Sequence, residues 1–222
     1  QGGFAFWNHP GWKGKPEWFP PVAGLYDARL FNGMELLNGP SFYPEAYPWI
    51  EERKLTILAN SDAHRPMADS YEKRGRPVTL VFAKTADAAG VREALQARRT
   101  AAWMNGEVWG FEEHLAALVG GALRAEPAAV TCRPGQTAVP LVLRNTSALP
   151  FELRLKESPA WLKGRAGAAV KPEAAAGIAL TVAKDAPVGK NRMELVFEVS
   201  NFNTGPGRKL TAKIPFTVTV ER

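Results

Sequence analysis

The apolar pattern changes character once along this 222-residue chain, near Ala125-Glu-Pro127, and that break limits the architectures open to it. Before it, short apolar runs stop at polar exits and alternate with helix-like segments. Phe4-Ala-Phe-Trp7 ends at Asn8-His9-Pro10, Gly33-Met-Glu-Leu-Leu37 at Asn38-Gly39-Pro40, and Leu55-Thr-Ile-Leu-Ala59 at Asn60-Ser61-Asp62. Tyr47 to Lys54 suits a helix beginning near Pro44 or Pro48. A second helix follows the run Val78 to Ala83, with Asp87 near its N-cap and Val91, Ala94 and Leu95 at helical spacing. Thr100 to Met104 reads as a strand reaching an Asn105-Gly106 turn, and about 110–123 as a last amphipathic helix. Strands separated by helices predict an α/β architecture with a largely parallel sheet.

After the break no segment reads as a helix. Val139–Arg144, Phe151–Leu155, Ile178–Val182, Met193–Val199 and Ile214–Val220 are β-rich runs, divided by turns such as Arg133-Pro-Gly135 and Thr204-Gly-Pro-Gly207. Ala128–Cys132 and Ala168–Lys171 are weaker strands of the same kind. Short strands at this spacing predict an immunoglobulin-like β-sandwich. The chain therefore reads as two domains, an α/β one over 1–124 and an all-β one over 128–222.

Composition follows the same division. Residues 1–124 hold 14 basic and 14 acidic residues, all three histidines and six of the seven tryptophans; residues 125–222 hold 14 basic and 8 acidic residues. The first half thus carries the chemistry and the second the net charge of +6. Lys and Arg are scattered along the second half with few interleaved aromatics, which argues against a nucleic-acid face. No apolar run reaches the roughly 18–20 residues of a membrane span. One cysteine, Cys132, excludes a disulfide framework within the chain and any multi-cysteine zinc site, and reads as a small buried apolar residue. The lone cysteine and the appended sandwich lean toward a secreted or periplasmic location without deciding it.

Asn60-Ser61-Asp62-Ala63-His64 is the most informative stretch. It leaves an apolar strand, the position where open α/β sheets and barrels place reactive side chains. On an extended backbone side chains two apart point the same way, so Asp62 and His64 are expected to face one cavity. A carboxylate and an imidazole at that spacing are a donor set that zinc, manganese and iron accept; the plainer reading is a turn with Asp62 as a cap and His64 exposed. His9 sits at the exit of another strand, with Pro10 expected to hold it extended.

These motifs, with the Gly33-Met-Glu35-Leu-Leu-Asn38 strand and the strand–helix–strand from Val78 to Trp103, resemble the last part of a PHP (polymerase and histidinol phosphatase) domain. The appended sandwich resembles the arrangement of a phosphodiesterase-like subfamily. The resemblance implies the C-terminal portion of a distorted (β/α)7 barrel with two or three divalent metal ions, Mn, Zn or Fe, at the strand C-termini. By resemblance His9, Asp62 and His64 are metal ligands, with Asp62 and His64 catalytic. PHP domains open with a His-x-His strand exit, which this sequence lacks. We therefore expect the chain to be inactive alone and to need the missing N-terminal half of the barrel.

The implied function is a metal-dependent phosphoesterase hydrolysing phosphodiesters or small phosphate esters with metal-activated water. The alternative is a non-catalytic binding module, a vestigial barrel with its sandwich, for a glycan, polyanion or protein partner. Glu35, Asn38 and Arg65 are candidates for contacting substrate or supporting the ligands. His114, beside Glu112 and Glu113, reads as solvated or interfacial. The tryptophans Trp7, Trp12, Trp18 and Trp49 read as loop packing or a pocket wall.

Overall fold

The computed structural model describes residues 3–12, 14, 17–64, 75–164 and 167–222. The chain divides into two units: Gln1–His114 with Asn203–Arg208, and Leu115–Phe202 with Lys209–Arg222.

The first unit is built on a small sheet. Its elements are β1 (Phe6–Trp7), α1 (Pro20–Asp27), β2 (Gly33–Asn38), β3 (Ser41–Phe42), α2 (Tyr47–Glu52) and β4 (Thr56–Asn60), followed by β5 (Val78–Val81), α3 (Ala88–Gln96), β6 (Thr100–Met104) and β7 (Glu107–Gly110). Strand β2 lies between β1 and β4 and is parallel to both, with Phe6 opposite Gly33 and Asn38 opposite Asn60. All six β2 residues are buried, as expected of a central strand covered on both faces. Gly33 permits the close approach of its neighbours, because a Cβ there would stand 3.0 Å from the Phe4 ring and 3.2 Å from Leu58. Met34, Leu36, Tyr47, Ile50, Leu55 and Ile57 form the interior.

Helix starts follow local chemistry. Prolines occupy the first turns of α1 and α2, where a missing N–H costs nothing. The α1 helix over Pro20–Asp27 was not expected from the sequence. In α3 the Asp87 carboxylate accepts the Gly90 N–H at 2.7 Å, the N-cap read from the sequence. Among the described residues no helix is long and apolar enough to cross a membrane.

The expectation of a largely parallel sheet holds for β1, β2 and β4 and fails beyond them. Strands β5 and β6 pair antiparallel although α3 lies between them, and β6 and β7 form an antiparallel hairpin. Asn105 and Gly106 both have positive φ, 53° and 87°, as a two-residue hairpin turn of the primed kind requires. The ladder is not simply extended from β4 to these strands; hydroxyl groups meet the β4 backbone. Thr79 Oγ1 accepts the Ala59 N–H at 2.8 Å and donates to the Ala59 carbonyl at 2.8 Å. Thr100 Oγ1 donates to the Ile57 carbonyl at 2.7 Å. Two threonines thereby do for β4 part of what a neighbouring strand would do.

The hairpin tip Asn203–Arg208 belongs to this unit. Asn203 Nδ2 donates to Glu107 at 2.8 Å and to the Val108 carbonyl at 3.1 Å, and Arg208 pairs with Glu51 at 2.6 Å. The Tyr47 hydroxyl donates to the carbonyls of Gly110 and Thr204, and burial pushes its pKa up.

Helix α4 (Glu112–Ala122) begins in the first unit and continues into the second. His114 on it packs beside the rings of Phe82 and Phe111, rather than standing in solvent, and burial lowers its pKa.

The second unit contains β8 (Leu123–Ala125), β9 (Ala129–Cys132), β10 (Val139–Asn145), β11 (Phe151–Glu157), β12 (Leu162–Gly164), β13 (Gly167–Val170), β14 (Ala175–Val182) and most of β15 (Gly189–Gly205) and β16 (Arg208–Val220). One sheet runs β12-β14-β10-β8, all antiparallel. The other joins β13, β11, β15, β16 and β9, the last parallel to β16. Burial alternates along β10, β14 and the Phe216–Val220 stretch of β16, which gives each sheet one apolar face. Phe151 and Phe202 meet inside at 5.3 Å between ring centres. Cys132 is buried and free, and burial raises its thiol pKa, as suits a small apolar core residue.

Two measurements test this account. Thr79→Val should destabilise the fold by about 1–3 kcal/mol in urea titration, because it strands the Ala59 N–H, while Thr79→Ser should lie close to the parent. Folding lowers the His114 pKa, so the unfolded chain binds its proton first as pH falls below the ordinary value of 6.5. Stability should therefore fall on acidification through that range, and His114→Gln should flatten the profile.

Candidate functional site

Three parallel strands, β1, β2 and β4, deliver their C-terminal ends to one side of the first unit. Residues just past or at those ends are His9, Asn38-Gly39 and Asn60 to His64. The chain is drawn together there by Glu35, which is 1% exposed in the middle of β2. Its Oε2 accepts the backbone N–H of His9 at 2.5 Å and Asn38 Nδ2 at 3.0 Å; its Oε1 accepts Asn60 Nδ2 at 2.6 Å. One carboxylate thus ties together groups from the exits of all three strands. Hydrogen bonds to an ionised acceptor are the strong kind, and three of them offset the cost of burying it.

His9 does not adopt the extended backbone expected from Pro10; its φ is +32°. The bond from its N–H to Glu35 holds the backbone in this conformation. Its Nδ1 stands 3.5 Å from Glu35 Oε2, too far for a good hydrogen bond, and is buried with no hydrogen-bond partner among the described residues. The ring lies edge-on to Trp12 at 6.0 Å.

Asp62 and His64 come together, though not by the route the sequence suggested. Asp62 has φ +49°, so the chain turns at this residue instead of alternating along an extended strand. His64 Nε2 lies 3.4 Å from Asp62 Oδ1, with the histidine side chain 84% and the aspartate side chain 40% exposed. Gly39, itself at φ +50°, donates its N–H to the Asn60 carbonyl at 2.9 Å, and a Cβ on it would lie 3.9 Å from that of Asp62. The Asn38-Gly39 exit therefore lies directly against the Ser61-Asp62 exit.

Two pairs result, His9 with Glu35 and Asp62 with His64. Among the described residues no group of three or more His, Cys, Asp or Glu side chains is placed to hold a metal ion. The expected His9, Asp62 and His64 set is not gathered into one three-ligand site among the described residues. The orphaned His9 Nδ1 has the right chemistry for a ligand but lacks converging partners. Arg65 lies outside the described residues. Glu35 and Asn38, raised as supporting residues, form the clamp itself. Asn60, the third member of the clamp, was not singled out from sequence. The signal was present, because Asn38 and Asn60 stand at matching strand ends three and twenty-five residues from Glu35, but only the register makes them neighbours.

No family model and no curated protein matches the sequence. Among solved structures, a two-domain protein from Bacteroides vulgatus ATCC 8482 containing a predicted PHP-like metal-dependent phosphoesterase aligns over 97% of this chain with 30% identity and a TM-score of 0.83. This chain spans 63% of the length of that protein. A protein of unknown function from Porphyromonas gingivalis W83 aligns over 45% of this chain and 48% of its own, at 20% identity and a TM-score of 0.34. WR4, an MSP family member of C. elegans, aligns over 43% of this chain and 97% of its own, at 8% identity and 0.29. The last two scores are too low to define a shared fold. The first establishes that this two-unit architecture is similar to that of the Bacteroides protein.

The clamp makes a direct prediction. Glu35→Gln keeps the shape but replaces one accepting oxygen by an NH2 that faces donors. It should cost about 2–3 kcal/mol in chemical denaturation, well above the effect of Asp62→Asn at its half-exposed turn.

Proposed function

We propose that the protein is a PHP-type metal-dependent phosphoesterase acting on phosphodiesters or small phosphate esters, to which this chain contributes the His9, Asp62 and His64 ligands. The observation that carries this reading is the 97% coverage at 30% identity by a protein described as containing a predicted PHP-like metal-dependent phosphoesterase. Its support within the chain is the placement of these three residues at the exits of parallel strands, where such folds hold reactive groups. Because the three do not converge on their own, the remaining ligands in this reading come from residues beyond those described here. The longer relative is in keeping with that, and the 222-residue chain alone should then turn over little or no substrate. Asp62 has a second role, accepting a hydrogen bond from the attacking water. The β-sandwich is an accessory unit, and the proposed subfamily is the phosphodiesterase-like one.

Metal analysis of the intact protein, joined to hydrolysis of an aryl phosphodiester with Mn²⁺, Zn²⁺ and Fe²⁺, tests the assignment. Bound metal and turnover are expected; no metal and no turnover would favour a binding module for a glycan, polyanion or protein. In metal-replete buffer Asp62→Asn and His64→Gln should each lower the rate by at least about 10–100-fold with folding intact. A near-parental rate for both would remove them from the site.

A further inference from the structure

At the opposite end of the parallel strands, three helices stop in the same way. In α1, α2 and α3 the residue after the C-cap is Arg29, Lys54 and Arg98, with φ of 57°, 54° and 60°. Each N–H donates back to the carbonyl three residues earlier: Arg29 to Tyr26 at 2.8 Å, Lys54 to Glu51 at 3.3 Å, Arg98 to Leu95 at 3.1 Å. The next N–H donates five residues back: Leu30 to Leu25 and Leu55 to Ile50 at 2.9 Å, Arg99 to Ala94 at 2.9 Å. These are three Schellman closures, whose left-handed position glycine fills most easily. A basic residue stands there all three times, at a conformational cost. Only 28 of the 222 residues are Lys or Arg, so composition does not account for the repetition. The backbone already satisfies those carbonyls, so the side chains are not needed as caps, although a cation is favoured at the negative end of a helix.

What the three share is a cleft of about 430 Å³, which they line together with Arg53. The Arg53 guanidinium is held over the Trp18 ring at 4.1 Å and by Glu52 at 3.0 Å, and the Arg98 guanidinium stands over Phe111 at 5.4 Å. Arg29 and Lys54 are exposed and form no ion pair among the described residues. Of these four cations Arg53 is already paired with Glu52; the one acidic lining residue is Asp27, and the Asn32 and Gln96 amides add neutral donors. Like charges gathered in one recess repel unless an anion joins them.

We infer that this cleft binds a small multivalent anion of the phosphate or pyrophosphate class, at the end of the sheet remote from His9 and Asp62. Arg29 and Lys54 supply the mobile contacts, and Arg53 and Arg98 the ring-braced ones. The inference is independent of the phosphoesterase assignment.

Titration calorimetry of the protein with inorganic pyrophosphate, in EDTA and at constant ionic strength, tests it, with inorganic phosphate and chloride as further arms. Saturable pyrophosphate binding that chloride does not reproduce is expected. Arg29→Gln with Lys54→Gln should weaken it about tenfold or more, the scale of losing one or two charge-assisted contacts. Arg29→Gly, which relieves the left-handed residue, should leave the fold as stable or more stable yet also weaken binding. Absence of saturable binding overturns the inference. So does binding that survives these changes, or that is lost instead in Asp62→Asn with His64→Gln, which would place the anion at the other end.

Discussion

A carboxylate buried to 1% exposure needs matched donors, since an unpaired buried charge costs several kcal/mol, and the surroundings of Glu35 follow from that requirement. The donors it takes come from the exits of three strands: the His9 backbone, Asn38 and Asn60. Each fixes one segment whose conformation local preference would set otherwise. His9 keeps a positive φ ahead of a proline because its N–H is committed to Glu35. Asn60 is held at the head of the segment that turns at Asp62. Removing this one acceptor would free every exit on that side at once, which is why the geometry of the candidate site depends on a residue that does not itself reach solvent.

The rest of the first unit is arranged so that the clamp can exist. Strand β2 must be central and covered on both faces, and its six buried residues show that it is. Strand β4 must be held on its far side without continuing the parallel ladder, and Thr79 and Thr100 do this through hydroxyl contacts with the Ala59 and Ile57 backbone. Side-chain bonds of this kind let an antiparallel hairpin abut a parallel sheet. At the other end, helices closed by their own backbones leave basic side chains unspent on capping. The two ends thus differ in character: a carboxylate that gathers donors at one, and cations that gather around a cleft at the other.

Much of this was legible one segment at a time. The Asp87 cap and the Asn105-Gly106 hairpin turn are local signals, set by a side-chain acceptor within three residues or by the conformations that Asn and Gly tolerate. The strand exits carrying His9, Asp62 and His64 were legible for the same reason: apolar runs end where polar, turn-forming residues begin. Helix α1 was not read from the sequence, although its two prolines are well suited to a first turn. The parallel expectation for β5 and β6 failed because an intervening helix permits a crossover without dictating one.

By itself the sequence determined the apolar strands, their polar exits and the residue types available for chemistry. All of these depend on neighbours within a few positions. Tertiary structure decided which exits meet, and it did so through register. Asn38 opposite Asn60 brings two amides to one carboxylate, and the turn at Asp62 directs His64 back upon it. It also decided that His9 and the Asp62–His64 pair remain separate among the described residues. Hydrogen bonds between strands and positive-φ turns set those distances, and spacing along the chain carries no record of either.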